Sequence, residues 1–244
     1  MNRQLTLDRL RELRLTGMER VYRSVAGLQP DEQPTVDELM ARLAEAEYLD
    51  RTQKRMQALL RQSKLRYDAT LEQVYCSKER NFSRDQQLSL ADGSFILQAI
   101  NVLITGATGS GKSFLACAIG RHACNMGYKT LYLPMNRFLE KLAMAKIQGS
   151  FLKLLDQLQK IQLLIFDDFG LQPLTDDTRL ALLQILEDRY GQFSTVIVSQ
   201  LPVDKWHAYI NQPTLADGIC DRLTAKAFRF DLRGESLRRK KFGE

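Results

Sequence analysis

The run Gly106-Ala107-Thr108-Gly109-Ser110-Gly111-Lys112-Ser113 constrains the fold of this 244-residue chain more than any other segment. It fits G-x-x-x-x-G-K-[ST], in which a glycine-rich loop joins a strand to a helix and turns its backbone N–H groups onto phosphate oxygens. The flanks agree. Asn101 to Thr105 reads as a buried strand, and Ser113 to Met126 as a helix closed by Gly127. The N-terminus of that helix adds positive potential where phosphate would sit. In this arrangement Lys112 reaches the β- and γ-phosphates and the Ser113 hydroxyl ligates Mg²⁺.

From Ile100 onward, short apolar runs alternate with helical spacing. Strands are predicted over 129–133, 161–166 and 195–198, and helices over 136–147 and 150–158 and behind a Thr175 cap. That alternation implies an α/β fold with a parallel sheet flanked by helices on both faces. Leu163-Leu164-Ile165-Phe166-Asp167-Asp168 is an apolar strand ending in two carboxylates. Asp167 is placed to hold the Mg²⁺ shell, and Asp168 to orient or deprotonate an attacking water. The strand from Thr195 ends in Ser199 and Gln200 on the same sheet edge, within reach of the γ-phosphate or the water.

Ahead of this lie two short amphipathic helices within residues 4–28, separated at Gly17, and then Pro30 and Pro34. Thr35 and Glu38 form a capping box that opens a long helix reaching roughly residue 66. Residues 1–70 therefore read as a small all-α N-terminal domain, 71–93 as a connector and 94–244 as the α/β domain. Hydrophobic residues make up 44% and charged residues 26% of the chain, which excludes wholesale disorder and a collagen-like class. No uncharged apolar run approaches the roughly 20 residues that span a bilayer, and Met1 to Thr6 lacks the apolar core of a signal peptide. A cytoplasmic protein with no membrane partner is expected. Cys76, Cys117, Cys124 and Cys220 form no C-x-x-C pair and read as reduced thiols.

The net charge of +6 lies wholly in the flanks, since residues 81–220 carry 12 basic and 12 acidic side chains. Arg51, Lys54, Arg55, Arg61, Lys64 and Arg66 follow one another with no acid between them, a field able to attract a polyanion.

With these residues placed, the chain resembles the IstB-type transposition helper ATPases of bacterial insertion sequences, relatives of the DnaC helicase loaders and DnaA initiators within the AAA+ class of P-loop NTPases. The resemblance spans nearly the whole chain. It is carried by Leu10 to Met18, the phosphate loop, Leu163 to Gly170, Val198 to Pro202 with Trp206-His207, Asp221-Arg222-Leu223, and Gly234 to Arg238. It implies that Ser199 and Gln200 occupy the sensor I position, that Arg222 is an arginine finger reaching a neighbouring subunit, and that Arg238 is a sensor II arginine in a reduced C-terminal lid. It also implies that the two helices from Asn136 to Leu158 face DNA, which brings in Lys141 and Lys146. Asp168 stands where most AAA+ members have Glu. One methylene less implies slow hydrolysis, stimulated by DNA or a partner.

The combined expectation is an ATPase using ATP and Mg²⁺ that assembles on duplex DNA as a ring, spiral or filament and hands a target site to a partner transposase. Arg51, Lys54 and Arg55 are its expected N-terminal DNA contacts. The alternatives are a DnaC-like helicase loader, a P-loop small-molecule kinase, and a nucleotide-gated scaffold with negligible turnover.

Overall fold

The computed structural model describes residues 3–237, and the chain divides into two compact units, 1–58 and 59–244. The division falls inside a helix, twelve residues before the expected boundary at 70.

In the first unit, α1 (Arg3–Glu12) packs on α2 (Thr16–Ala26). The expected capping box opens α3 (Val36–Ser63): Thr35 N–H donates to Glu38 Oε2 at 2.9 Å and Glu38 N–H to Thr35 Oγ1 at 3.3 Å. Gly17 lies within α2, not between helices, and a Cβ there would collide with the backbone of Ala46 and Glu47. That close approach lets the buried Glu47 carboxylate accept the N–H groups of Gly17 (2.9 Å) and Met18 (3.3 Å), which open α2 and have no intrahelical partner. Arg51 Nε also donates to Glu47, at 2.8 Å. Asp50 accepts from Thr16 Oγ1 at 2.6 Å and pairs with Lys54 Nζ at 2.7 Å. Arg51 and Lys54 are thus each bound to an acid one turn back along α3. Arg55 is exposed and forms no ion pair among the described residues.

In the second unit, α4 (Arg84–Ala91) and α5 (Ser94–Leu97) precede β1 (Asn101–Gly106) and α6 (Lys112–Asn125). Next come β2 (Thr130–Pro134), α7 (Met135–Ile147), α8 (Phe151–Gln159), β3 (Leu163–Phe169), α9 (Asp176–Arg189) and β4 (Ser194–Ser199). The described part closes with α10 (Trp206–Ile210), α11 (Pro213–Thr224) and β5 (Ala227–Leu232). All pairings are parallel, in the order β2-β3-β4-β1-β5. Alternate residues of each inner strand enter opposite cores. Val102, Ile104, Ile165, Val196 and Val198 pack with α6, while Leu103, Leu164, Phe166 and Ile197 pack with α7 to α11. Burial on both faces explains why these strands read as unbroken apolar runs.

Residues 71–93 are not a connector. Leu71, Phe82 and Leu90 are buried in the core on the α6 side, and Ser83 caps α4 with a full capping box. Among the described residues, no helix is long and apolar enough to cross a membrane.

Burial pushes the Glu47 carboxyl up, but Arg51 and the N–H groups of Met18 and Gly17 outweigh it and hold the group below the usual carboxylate range. Its contribution to stability is therefore complete above the unfolded value of about 4.3 and is lost as the pH falls through the lower folded value. Hydrogen exchange at the Gly17 and Met18 amides should lose protection as the pH falls through that lowered folded value. Glu47→Gln should remove about 1–3 kcal/mol of that protection at neutral pH and abolish the acid step.

Candidate functional site

β1 is buried between β4 and β5, so its C-terminal end delivers the phosphate loop to a fixed point at the sheet edge. The loop is held in a conformation only glycine takes easily: φ is +141° at Gly106, +84° at Gly109 and +89° at Gly111. A Cβ on Gly106 would fall on the Leu232 carbonyl of β5, and one on Gly109 on the Ser236 side chain. Gly111 caps α6, whose first residue is Lys112. Lys112 Nζ donates to the carbonyls of Gly106 (2.7 Å) and Ala107 (2.8 Å).

The loop borders a cavity of about 650 Å³, a size suited to a nucleotide. Thr108, Gly109, Gly111, Lys112 and Ser113 line it from one side, and Asp167, Asp168, Ser199 and Gln200 from the strand ends. Tyr67, Val74, Tyr75 and Phe114 give it an apolar end. Ser110 Oγ is buried without a hydrogen-bond partner among the described residues. A loop with no Cβ at three of its bends, a lysine resting on its carbonyls and an unsatisfied hydroxyl inside it fit a polyphosphate. The Ser113 hydroxyl and a buried carboxylate fit the oxygen-donor preference of Mg²⁺.

The two carboxylates differ sharply. Asp167 is fully buried; its Oδ1 accepts the Asp168 N–H at 2.8 Å and its Oδ2 accepts the Tyr132 hydroxyl. Burial, and then the Asp167 charge, raise the Tyr132 phenol far above its ordinary value, so it stays a donor. Arg66 hydrogen-bonds Tyr132 in turn and lies over the Tyr67 ring at 5.4 Å. Asp168 is half-buried with φ +62°, at a register shift between β3 and β4 that falls between Phe166 and Phe169. It lines both the main cavity and a neighbouring cleft with Lys64, Arg66, Arg137 and Lys141.

Ser199 and Gln200 separate in role. The Ser199 hydroxyl is buried, donating to Phe169 O at 2.6 Å and accepting from Leu201 N–H at 3.0 Å, so it joins the ends of β3 and β4. Gln200 is exposed and its Oε1 accepts from Thr108 Oγ1 at 2.8 Å. Of the two, Gln200 is the one that reaches the phosphate loop.

Arg222 is not brought to the loop of its own chain. It ends α11, where its backbone carbonyl accepts from Asn101 Nδ2 at the start of β1, the opposite sheet edge. Its guanidinium grips Glu187 at 2.7 and 2.8 Å, touches Asp221 at 2.6 Å and lies over Tyr190 at 5.3 Å. The bond to Glu187 raises its already high pKa. Lys146 pairs with Asp177 and lies over the Phe151 ring at 5.5 Å, while Lys141 faces the basic cleft. Arg238 lies outside the described residues.

Three participants escape the sequence reading. Tyr132 donates to Asp167, Arg66 adds positive charge near both, and Arg80 donates from Nη2 to the Ser110 carbonyl in the loop. Tyr132 carries a faint signal, the one hydroxyl-bearing aromatic in the strand Leu131-Tyr132-Leu133.

The chain is similar to known proteins of insertion sequences and of replication. An insertion sequence ATP-binding protein of Sinorhizobium fredii is 44% identical over 234 residues, covering 96% of each chain. The solved structure of DnaI superposes with a TM-score of 0.58 at 17% identity, over 72% of this chain and 93% of that one. AMPPCP-bound DnaA from Aquifex aeolicus gives 0.59 at 18% identity, over 73% and 55%. These two likenesses are of fold, a parallel sheet flanked by helices. The family pattern described as IstB-like ATP binding protein matches residues 8–243. This chain belongs to the IstB-like ATP binding protein family.

Proposed function

We propose that this protein is an ATPase that assembles on duplex DNA with ATP and delivers a target site to a partner transposase. The observation that carries the reading is the convergence of the phosphate loop, Asp167, Asp168 and Gln200 on one nucleotide-sized cavity. That its relatives are insertion sequence ATP-binding proteins favours a transposition helper over a helicase loader. A small-molecule kinase has no use for the helical first unit, which we assign to DNA or partner binding.

In the proposed reaction, Lys112 exchanges its loop carbonyls for phosphate oxygens, and the helix N-terminus behind it meets the same charge. Ser113 and Asp167 would hold Mg²⁺, partly by way of water, and the ion would supply neutralisation of charge on the phosphates. Tyr132 and the Asp168 N–H fix the Asp167 carboxylate from its two oxygens. Asp168 accepts a proton from the attacking water as the water oxygen bonds to the γ-phosphorus and the bond to the β-phosphate oxygen breaks, leaving ADP and phosphate. Gln200, tethered to Thr108, sits where it can report the state of the loop. Arg222 acts in trans, leaving Glu187 to complete the site of the next subunit, so that ATP ties subunits together and hydrolysis releases them.

Sizing the protein on duplex DNA with ATP, ADP or no nucleotide tests the central claim. ATP-dependent rings, spirals or filaments are expected; a monomer indifferent to DNA would favour the kinase.

The carboxylates should separate by substitution. Asp168→Asn should retain Mg²⁺-ATP and lower turnover by about 100-fold or more, prolonging assemblies on DNA. Asp167→Asn should instead weaken the Mg²⁺ dependence of ATP binding. Nucleotide titration with and without Mg²⁺, beside turnover, reads both, and the opposite pattern would reverse the assignment.

Arg222→Ala should bind ATP nearly as the wild type does but fail to hydrolyse it on DNA. Mixing it with Lys112→Ala should restore part of the activity, because a mixed joint pairs an intact pocket with an intact finger. Mixed oligomers that stay inactive would make Arg222 a structural arginine.

A further inference from the structure

Arg80 is only 7% exposed, yet among the described residues it forms no ion pair. Among the described residues its side chain makes one hydrogen bond, from Nη2 to the Ser110 carbonyl. No carboxylate among the described residues acts on it, and burial lowers its pKa. A guanidinium has five donors, and one carbonyl is poor compensation for burying a full charge.

The position is built, not incidental. Residues 77–82 form a tight turn closed by an antiparallel bridge between Ser77 and Phe82, with Arg80 N–H donating to Ser77 O at 3.2 Å. Phe82 anchors the turn edge-on against Phe230 of β5, with ring centroids 5.5 Å apart. Asn81 Nδ2 donates to Asp231 O, and Arg233 N–H to Arg80 O, both at 3.0 Å. This frame holds the guanidinium over Ser110 and Gly111, where a Cβ on Gly111 would lie 3.0 Å from Nη2. Arg80 lines the same cavity as Lys112 and Ser113.

We propose that Arg80 is a phosphate-binding residue of the nucleotide site, acting within its own chain, and that a nucleoside di- or triphosphate supplies the counter-charge that no described residue gives its buried position. The inference rests on the nucleotide reading of the cavity. Arg80 meets the loop at Ser110 and Gly111, whereas Gln200 meets it at Thr108, so the effect should extend to diphosphates as well as triphosphates.

Full-length Arg80→Gln, Arg80→Lys and Lys112→Ala, titrated with Mg²⁺-ADP and Mg²⁺-AMPPCP and melted with and without each, test it. Glutamine keeps a donor for the Ser110 carbonyl and removes the charge. Arg80→Gln should bind both nucleotides at least 10-fold more weakly, with Arg80→Lys between it and the wild type. Because the free protein loses an uncompensated charge, the Arg80→Gln melting temperature without nucleotide should be unchanged or higher, while the rise on adding nucleotide shrinks. Wild-type affinity in Arg80→Gln, or a lower melting temperature with affinity retained, would make Arg80 a brace and overturn the proposal; if Arg80→Gln does not fold, Arg80→Lys decides by the same criteria. Wild-type affinity in Lys112→Ala would overturn the nucleotide reading itself, and this proposal with it.

Discussion

The Leu232 carbonyl lies where a side chain on Gly106 would have to go, and much of the site follows from that contact. It exists because β5 runs parallel to β1 through Gly106↔Leu232, past the point where the loop departs. The backbone of β5 thereby forms one wall of the loop, and the segment after it closes over the outside: Leu237 N–H donates to Gly109 O at 3.0 Å. A loop fixed from behind keeps its amides aimed forward without a ligand to organise them. Preorganisation of this kind lowers the ordering cost of binding.

Legibility followed the chemistry of each element. β1, α6, β3, α9 and β4 were readable because burial on both faces gives apolar runs and the intervening helices have clear caps, as at Thr175. β5 was not, because Ala-Phe-Arg-Phe-Asp-Leu places Arg229 and Asp231 on the exposed side of an edge strand. The turn and helix over 71–93 read as a connector in sequence because their anchors, Leu71, Phe82 and Leu90, are spaced too widely to show a period. In the site, the loop and both aspartates were evident from residue type alone. Tyr132, Arg66 and Arg80 were not, since their partners lie 30 or more residues away and only the parallel sheet and the 77–82 turn bring them in.

The basic side chains expected to meet DNA are, with the exceptions of Arg55 and Lys141, already engaged. Arg51 holds Glu47, Lys54 holds Asp50 and Lys146 holds Asp177. Of the three, the Lys146–Asp177 pair joins two exposed side chains and contributes little to stability, whereas Glu47 and Asp50 are largely buried, so that releasing Arg51 or Lys54 would leave a buried acid without its partner.

The left-handed backbone at Asp168 restricts which residues evolution can sample there. Aspartate and asparagine adopt that conformation more readily than longer side chains, because their short polar arms hydrogen-bond locally. A longer acid there would lose the local hydrogen bonding that favours this backbone, so the short side chain and the bent end of β3 are matched to one another.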